Sequence, residues 1–112
     1  MNAITPNEKK SSVVVVEDHP ILCDGLKQLI SSQPDLACVG AAEDISGAKR
    51  LVEECKPDLM ILDLRLKAGD ALDFIKTLRV DCTEVKVLVL SQYDELTFAE
   101  RALRAGASGY IM

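Results

Sequence analysis

The chain has 112 residues, 48% hydrophobic and 28% charged, which suits one globular domain and excludes a disordered chain, collagen or a coiled-coil rod. No apolar run approaches the ~18–20 residues that span a bilayer, and the opening MNAITPNEKK lacks the apolar core of a signal peptide, so no membrane contact and a cytoplasmic location are expected. The net charge of −5 gives no counterion-release gain on nucleic acid, so DNA binding by this segment itself is not expected.

In chain order, residues 1–11 read as a flexible polar tail and 12–112 as a single domain. Val13 to Val16, four β-branched residues without alternation, predict a strand buried on both faces, as in a parallel sheet. Pro20 fits the first turn of a helix, with Asp18 or His19 near its cap and Ile21, Leu22, Leu26, Leu29 and Ile30 as its apolar face. Pro34 ends that helix, and Leu36 to Ala42 predict a second strand. Asp44 caps a second helix with Ile45, Ala48, Leu51, Val52 and Cys55 inward, stopped by Pro57. Residues 58–62 form a third strand that ends at Asp63. A loop with Gly69 leads to a helix burying Leu72, Phe74, Ile75 and Leu78. Val85 to Leu90 is a fourth strand ending at Ser91. Asp94 to Ala105 is a fourth helix, closed by Gly106 in a left-handed cap, and Ser108 to Met112 begin a fifth strand. Strand–helix alternation of this kind predicts right-handed βαβ units and a parallel sheet with helices on both faces. The cysteines, Cys23, Cys38, Cys55 and Cys82, make no metal-binding spacing and read as structural thiols.

In such a fold, ligands bind beyond the carboxyl ends of the strands. Those ends deliver Glu17, Asp18, Asp63 and Ser91. Two carboxylates ~5 Å apart repel by about 3 kcal/mol at an effective dielectric near 20, so the set calls for a cation. Mg²⁺ suits it, taking one or two carboxylates and keeping waters and a phosphate oxygen. Asp63, at the end of a central strand, is the candidate nucleophile for an aspartyl phosphate. Glu17 and Asp18 are placed to hold the ion, a backbone carbonyl at Arg65 to complete its protein ligands, and Ser91 to hydrogen-bond the phosphoryl oxygens. Each has a plainer alternative. Asp18 and Ser91 suit helix caps, and His19, the single histidine, suits a loop beside one.

The segments VVVVEDHP, DLMILDLRL, VLVLSQYDE and RALRAGASGYIM, with intervals of 45, 28 and 19 residues from Asp18 to Asp63 to Ser91 to Tyr110, resemble the receiver domain of two-component response regulators. The EDHP start and AGASGY ending are most similar to the NarL/FixJ class with a LuxR-type output domain. The resemblance implies a flavodoxin-like (CheY-like) five-stranded parallel sheet of order 2-1-3-4-5. It makes Asp63 the phosphoacceptor, Glu17 and Asp18 the Mg²⁺ pair, and Arg65 a ligand through its carbonyl. Ser91 becomes the switch hydroxyl and Tyr110 the switch aromatic, for which the alternative is a ring packed on an edge strand. Arg65 and Tyr93, two positions after Asp63 and Ser91, are expected to shield the acyl phosphate from water. The implied donor is a sensor histidine kinase, a homodimer is expected, and DNA is reached only through an output domain absent from this chain. Such a domain catalyses its own phosphorylation and dephosphorylation and is not a turnover enzyme.

Two departures stand out. The loop 64–69 lacks the family's usual proline, and the family's lysine would fall directly after Met112, so the fifth helix is expected to be missing from this chain. The alternative to a phosphorylated switch is a degenerate receiver that binds partners without phosphorylation. A phosphohydrolase needs a second aspartate where Arg65 stands, and a flavodoxin needs a Ser/Thr/Gly-rich phosphate loop where Glu17–Pro20 stands.

Overall fold

The computed structural model describes residues 10–66, 70–81, 84–90 and 96–111. Ser91 and Tyr93, along with Gly69, Cys82, Asp94 and Met112, lie outside the described residues, as do the side chains of Leu96, Phe98 and Ala99. The elements are β1 (Ser11–Val16), α1 (Pro20–Ser31), β2 (Leu36–Ala42), α2 (Ile45–Cys55), β3 (Leu59–Asp63), α3 (Ala71–Asp81), β4 (Lys86–Leu90), α4 (Leu96–Ala105) and β5 (Gly109–Ile111). All strand pairs are parallel, and their order is β2-β1-β3-β4-β5. The chain thus has the flavodoxin-like order, with four helices among the described residues.

β1 lies between β2 and β3, and all four of its valines are fully buried. Val14 and Val16 face a cluster built with Met60, Leu62, Val87 and Val89 under α2, α3 and α4. Val13 and Val15 face the other side, with Ile61 and Ile30 under α1. Burial on both faces is why this run shows no alternation. β1 begins at Ser11, one residue inside the segment read as tail, because Asp58 holds that end. Its carboxylate accepts from the Ser12 amide (2.8 Å) and hydroxyl (3.2 Å), tying β1 to the start of β3.

The predicted face of α1 is only half right. Ile30 is buried and Leu26 and Cys23 pack on the sheet, but Ile21 is 88% and Leu29 61% exposed, and Leu22 is also exposed. At about 100° per residue, Cys23, Leu26 and Ile30 share a narrow stripe, while Ile21 lies about half a turn away. The expected face spanned too wide an arc. The helix starts as predicted, with Pro20 in the first turn and His19 as the N-cap. Asp18 therefore is not the cap.

α2 follows its prediction closely. Asp44 caps it by accepting from the Gly47 amide at 2.8 Å, Ala48 and Val52 are buried, and Lys56 ends it in the left-handed conformation just before Pro57. Asp44→Ala should cost about 1 kcal/mol, read as a lower urea midpoint with an unchanged slope. α4 closes on Gly106 at φ +122°, where the Gly106 and Ala107 amides both reach the Ala102 carbonyl. A side chain there would meet the stem of Arg79, whose guanidinium donates to the Val85 carbonyl. No described helix is long and apolar enough to cross a membrane.

Candidate functional site

Register sets the site. Val16 pairs with Leu62, so the next residue on each strand, Glu17 and Asp63, emerge side by side at the carboxyl edge of the sheet. The Glu17 amide still donates to Ala42 on β2 (2.9 Å), and Leu64 donates to Leu90 on β4 (3.1 Å), so both strands remain tied to neighbours where the carboxylates leave them. Glu17 is 2% and Asp63 1% exposed, and they are the buried charged residues among those described. The chain then turns into α1, which brings Asp18 and His19 over the same edge.

The ligand atoms of Glu17, Asp18, His19 and Asp63 all lie within 4.8 Å of one another. Asp63 Oδ1 accepts from the Arg65 amide at 2.8 Å, which folds the following turn back over the carboxylate. Glu17 Oε2 accepts from the His19 amide at 3.1 Å and faces His19 Nδ1 at 3.0 Å. The same ring nitrogen stands 3.1 Å from Asp18 Oδ1. Glu17 Oε1 and Asp63 Oδ2 are buried and have no hydrogen-bond partner. Two buried, unpaired carboxylate oxygens in one cluster are costly unless a proton or a cation joins them.

The electrostatics follow from this packing. Burial pushes the Glu17 carboxyl above its ordinary value of 4.5, against the pull of the two His19 hydrogen bonds, and the neighbouring Asp63 pushes it further up. The hydrogen bond to Glu17 raises His19 above its ordinary 6.5, and the nearby negative charges add to the effect. Both groups hold protons in the fold that the unfolded chain releases. Their contribution to stability is therefore lost as pH rises from about 4.5 through the raised value of Glu17, and from 6.5 through that of His19. The metal-free domain should have a lower urea midpoint at pH 8 than at pH 6 in the presence of a chelator. Equal midpoints would show that neither shift is felt by the fold.

The structure thus brings together Glu17, Asp18 and Asp63, with Arg65 adjacent through its amide. Tyr110 is 36% exposed on the edge strand β5, opposite Val89. His19 is more than a loop residue beside a cap, since its ring joins the carboxylate cluster. Its place two residues after Glu17, where the chain reverses from strand to helix, is the signal that could have found it. The side chains of Glu17, Asp18, His19 and Asp63 form a donor set able to coordinate a divalent cation.

Comparison with known proteins agrees with this geometry. Residues 13–112 match the family model described as response regulator receiver domain. The chain is 32% identical over 95% of its length to the transcriptional regulatory protein DegU of Brevibacillus brevis, and 33% identical over 95% to the nitrate/nitrite response regulator protein NarL of Escherichia coli K12. It covers 45% and 49% of those proteins, so it spans about half the length of the curated relatives it matches. Among solved structures, the signal receiver domain of the putative response regulator NarL from Mycobacterium tuberculosis superposes with a TM-score of 0.85 at 31% identity, covering 91% of this chain and 82% of that one. A LuxR-family two-component response regulator from Aurantimonas gives 0.84 at 32% identity, covering 91% and 73%. With a strand order and an acidic edge of this kind, and a family match across residues 13–112, the chain belongs to the response regulator receiver domain family, which is classed with self-phosphorylating switches rather than turnover enzymes.

Proposed function

We propose that residues 12–112 accept a phosphoryl group on Asp63 from a sensor histidine kinase, with Mg²⁺, and so control a DNA-binding output domain beyond this chain. The observation that carries this reading is the pairing of Asp63 with Glu17 at adjacent strand ends, each with a buried carboxylate oxygen that has no partner. Glu17, Asp18, Asp63 and the Arg65 carbonyl would hold the ion, which supplies positive charge to phosphoryl oxygens. The Asp63 oxygen forms the new O–P bond as the bond from phosphorus to the donor breaks, and that electron pair leaves with the donor. The Arg65 amide keeps Asp63 Oδ1 in place, so the carboxylate needs no reorientation. Ser91 would hydrogen-bond the phosphoryl group, and Tyr110 would turn inward behind it and carry the change to the β5 edge. A local change of charge would then bias a two-state element of the fold, and a homodimer is part of this reading. The names of the relatives, regulators of transcription and of nitrate/nitrite response, support a transcriptional output. The free thiols Cys23, Cys38 and Cys55 accord with the cytoplasm.

The test is intact mass after incubation with acetyl phosphate. One added phosphoryl group that requires Mg²⁺ supports the reading. Failure to form any adduct with Mg²⁺ present, alongside partner binding indifferent to the metal, would favour the degenerate binding module.

A further inference from the structure

We propose that the carboxylate cluster also takes borderline transition ions, zinc, cobalt or nickel, with His19 as a direct ligand. The inference rests on the reading of this edge as a cation site and extends it to a second class of ion bound in a different way.

A six-coordinate ion with bonds of about 2.1 Å sets adjacent ligand atoms about 3.0 Å apart and opposite ones about 4.2 Å apart, and a tetrahedral one sets them about 3.4 Å apart. His19 Nδ1 stands 3.0 Å from Glu17 Oε2 and 3.1 Å from Asp18 Oδ1, the separation of neighbouring ligands on one ion. All four donors, including Asp63, fall within 4.8 Å of each other, so the widest pair has to draw in by up to about 0.6 Å on a bound ion. Glu17 Oε1 and Asp63 Oδ2, on side chains almost wholly buried, have no hydrogen-bond partner and belong to this same cluster.

Chemistry then separates the ions. Magnesium is hard, prefers oxygen and retains its waters, so the imidazole adds nothing to its binding. Zinc, cobalt and nickel accept imidazole nitrogen readily and bind mixed N/O sets more tightly. To ligate through Nδ1 the ring must be neutral with its hydrogen on Nε2, and the His19 side chain, 53% exposed, leaves water within reach of the ring. Its backbone is already fixed as the N-cap of α1 and by the hydrogen bond that its amide donates to Glu17 Oε2, so ligation does not require ordering a loop. A transition ion held this way would compete with magnesium for the same carboxylates.

The experiment is calorimetric titration of the 112-residue chain with Zn²⁺, Co²⁺ and Mg²⁺, in the parent and in His19→Ala and His19→Asn, with circular dichroism to establish folding. ¹⁵N spectra of the parent's histidine ring, recorded with and without Zn²⁺, read the ligand atom. The expected result is a loss of about 10–100-fold in Zn²⁺ and Co²⁺ affinity in both variants. Mg²⁺ affinity should stay within about threefold, and Zn²⁺ should shift the Nδ1 resonance. A Zn²⁺ affinity that falls no further than that for Mg²⁺, or an Nδ1 resonance that does not move, would overturn the inference while leaving the magnesium site standing. Binding of none of the three ions would overturn the cation site itself.

Discussion

Asp63→Asn is expected to abolish phosphoryl incorporation while leaving the domain folded. The asparagine oxygen can still accept from the Arg65 amide that now binds Asp63 Oδ1 at 2.8 Å, so the turn after β3 keeps its anchor. The amide nitrogen takes the place of the second carboxylate oxygen and is no nucleophile toward phosphorus. The rate of adduct formation should therefore fall by at least about 10³-fold, to background, with unchanged far-ultraviolet circular dichroism. Mass analysis of intact protein after incubation with acetyl phosphate and Mg²⁺ measures this directly. An adduct that persists in the variant would move the phosphoacceptor elsewhere and sink the assignment.

Glu17→Gln separates binding from stability. The glutamine amide can donate to Asp63, replacing two facing carboxylates with a hydrogen bond, and its oxygen can still accept from the His19 amide. A buried unsatisfied acceptor costs about 1–3 kcal/mol, so the metal-free variant should be more stable than the parent by that order. Its thermal midpoint should rise by about 4–8 °C for each kcal/mol. Divalent binding should weaken at least about tenfold, because one charged ligand is lost. A saturating ion stabilises the parent by about 2.7 kcal/mol at a hundred times Kd, so the stability order of the two proteins should narrow or reverse as Mg²⁺ is added. Thermal melts with chelator and with Mg²⁺ test both halves. If the variant is less stable in chelator, Glu17 has a structural role that the packing around it does not reveal.

The parts of the fold that were legible in the sequence are those where one local rule had no rival. The valine run of β1 could only be a doubly buried strand, and β2 ran between Pro34 and the Asp44 cap. Gly106 closed α4 because its positive φ suits glycine above other residues. α1 was read less well. Five apolar residues within ten positions offer more than one possible face, and contact with the sheet at Cys23, Leu26 and Ile30 made the choice. The carboxylates could be placed at strand ends from sequence, yet their contact depends on β1 and β3 being neighbours in matched register, which is a long-range fact. The same holds for His19. Its ring reaches Glu17 and Asp18 only because the chain reverses within two residues, and no periodicity encodes that reversal.

The anchoring of β1 has a mechanical consequence. Two carboxylates that repel one another could move apart if either sat on a pliant loop. Glu17 instead continues a strand clamped between two neighbours, and its own amide is bonded to Ala42. Easing the repulsion by backbone movement would mean peeling β1 from the middle of the sheet. The mismatch therefore persists at fixed length, like a spring held between rigid plates. Whatever neutralises it acts on the whole domain at once, because the segment that would yield is the last one able to do so. In the language of hydrogen exchange, the amides of Val13 to Val16 should open only with global unfolding. Occupancy of the acidic edge would then be reported by the deepest part of the protein as faithfully as by its surface.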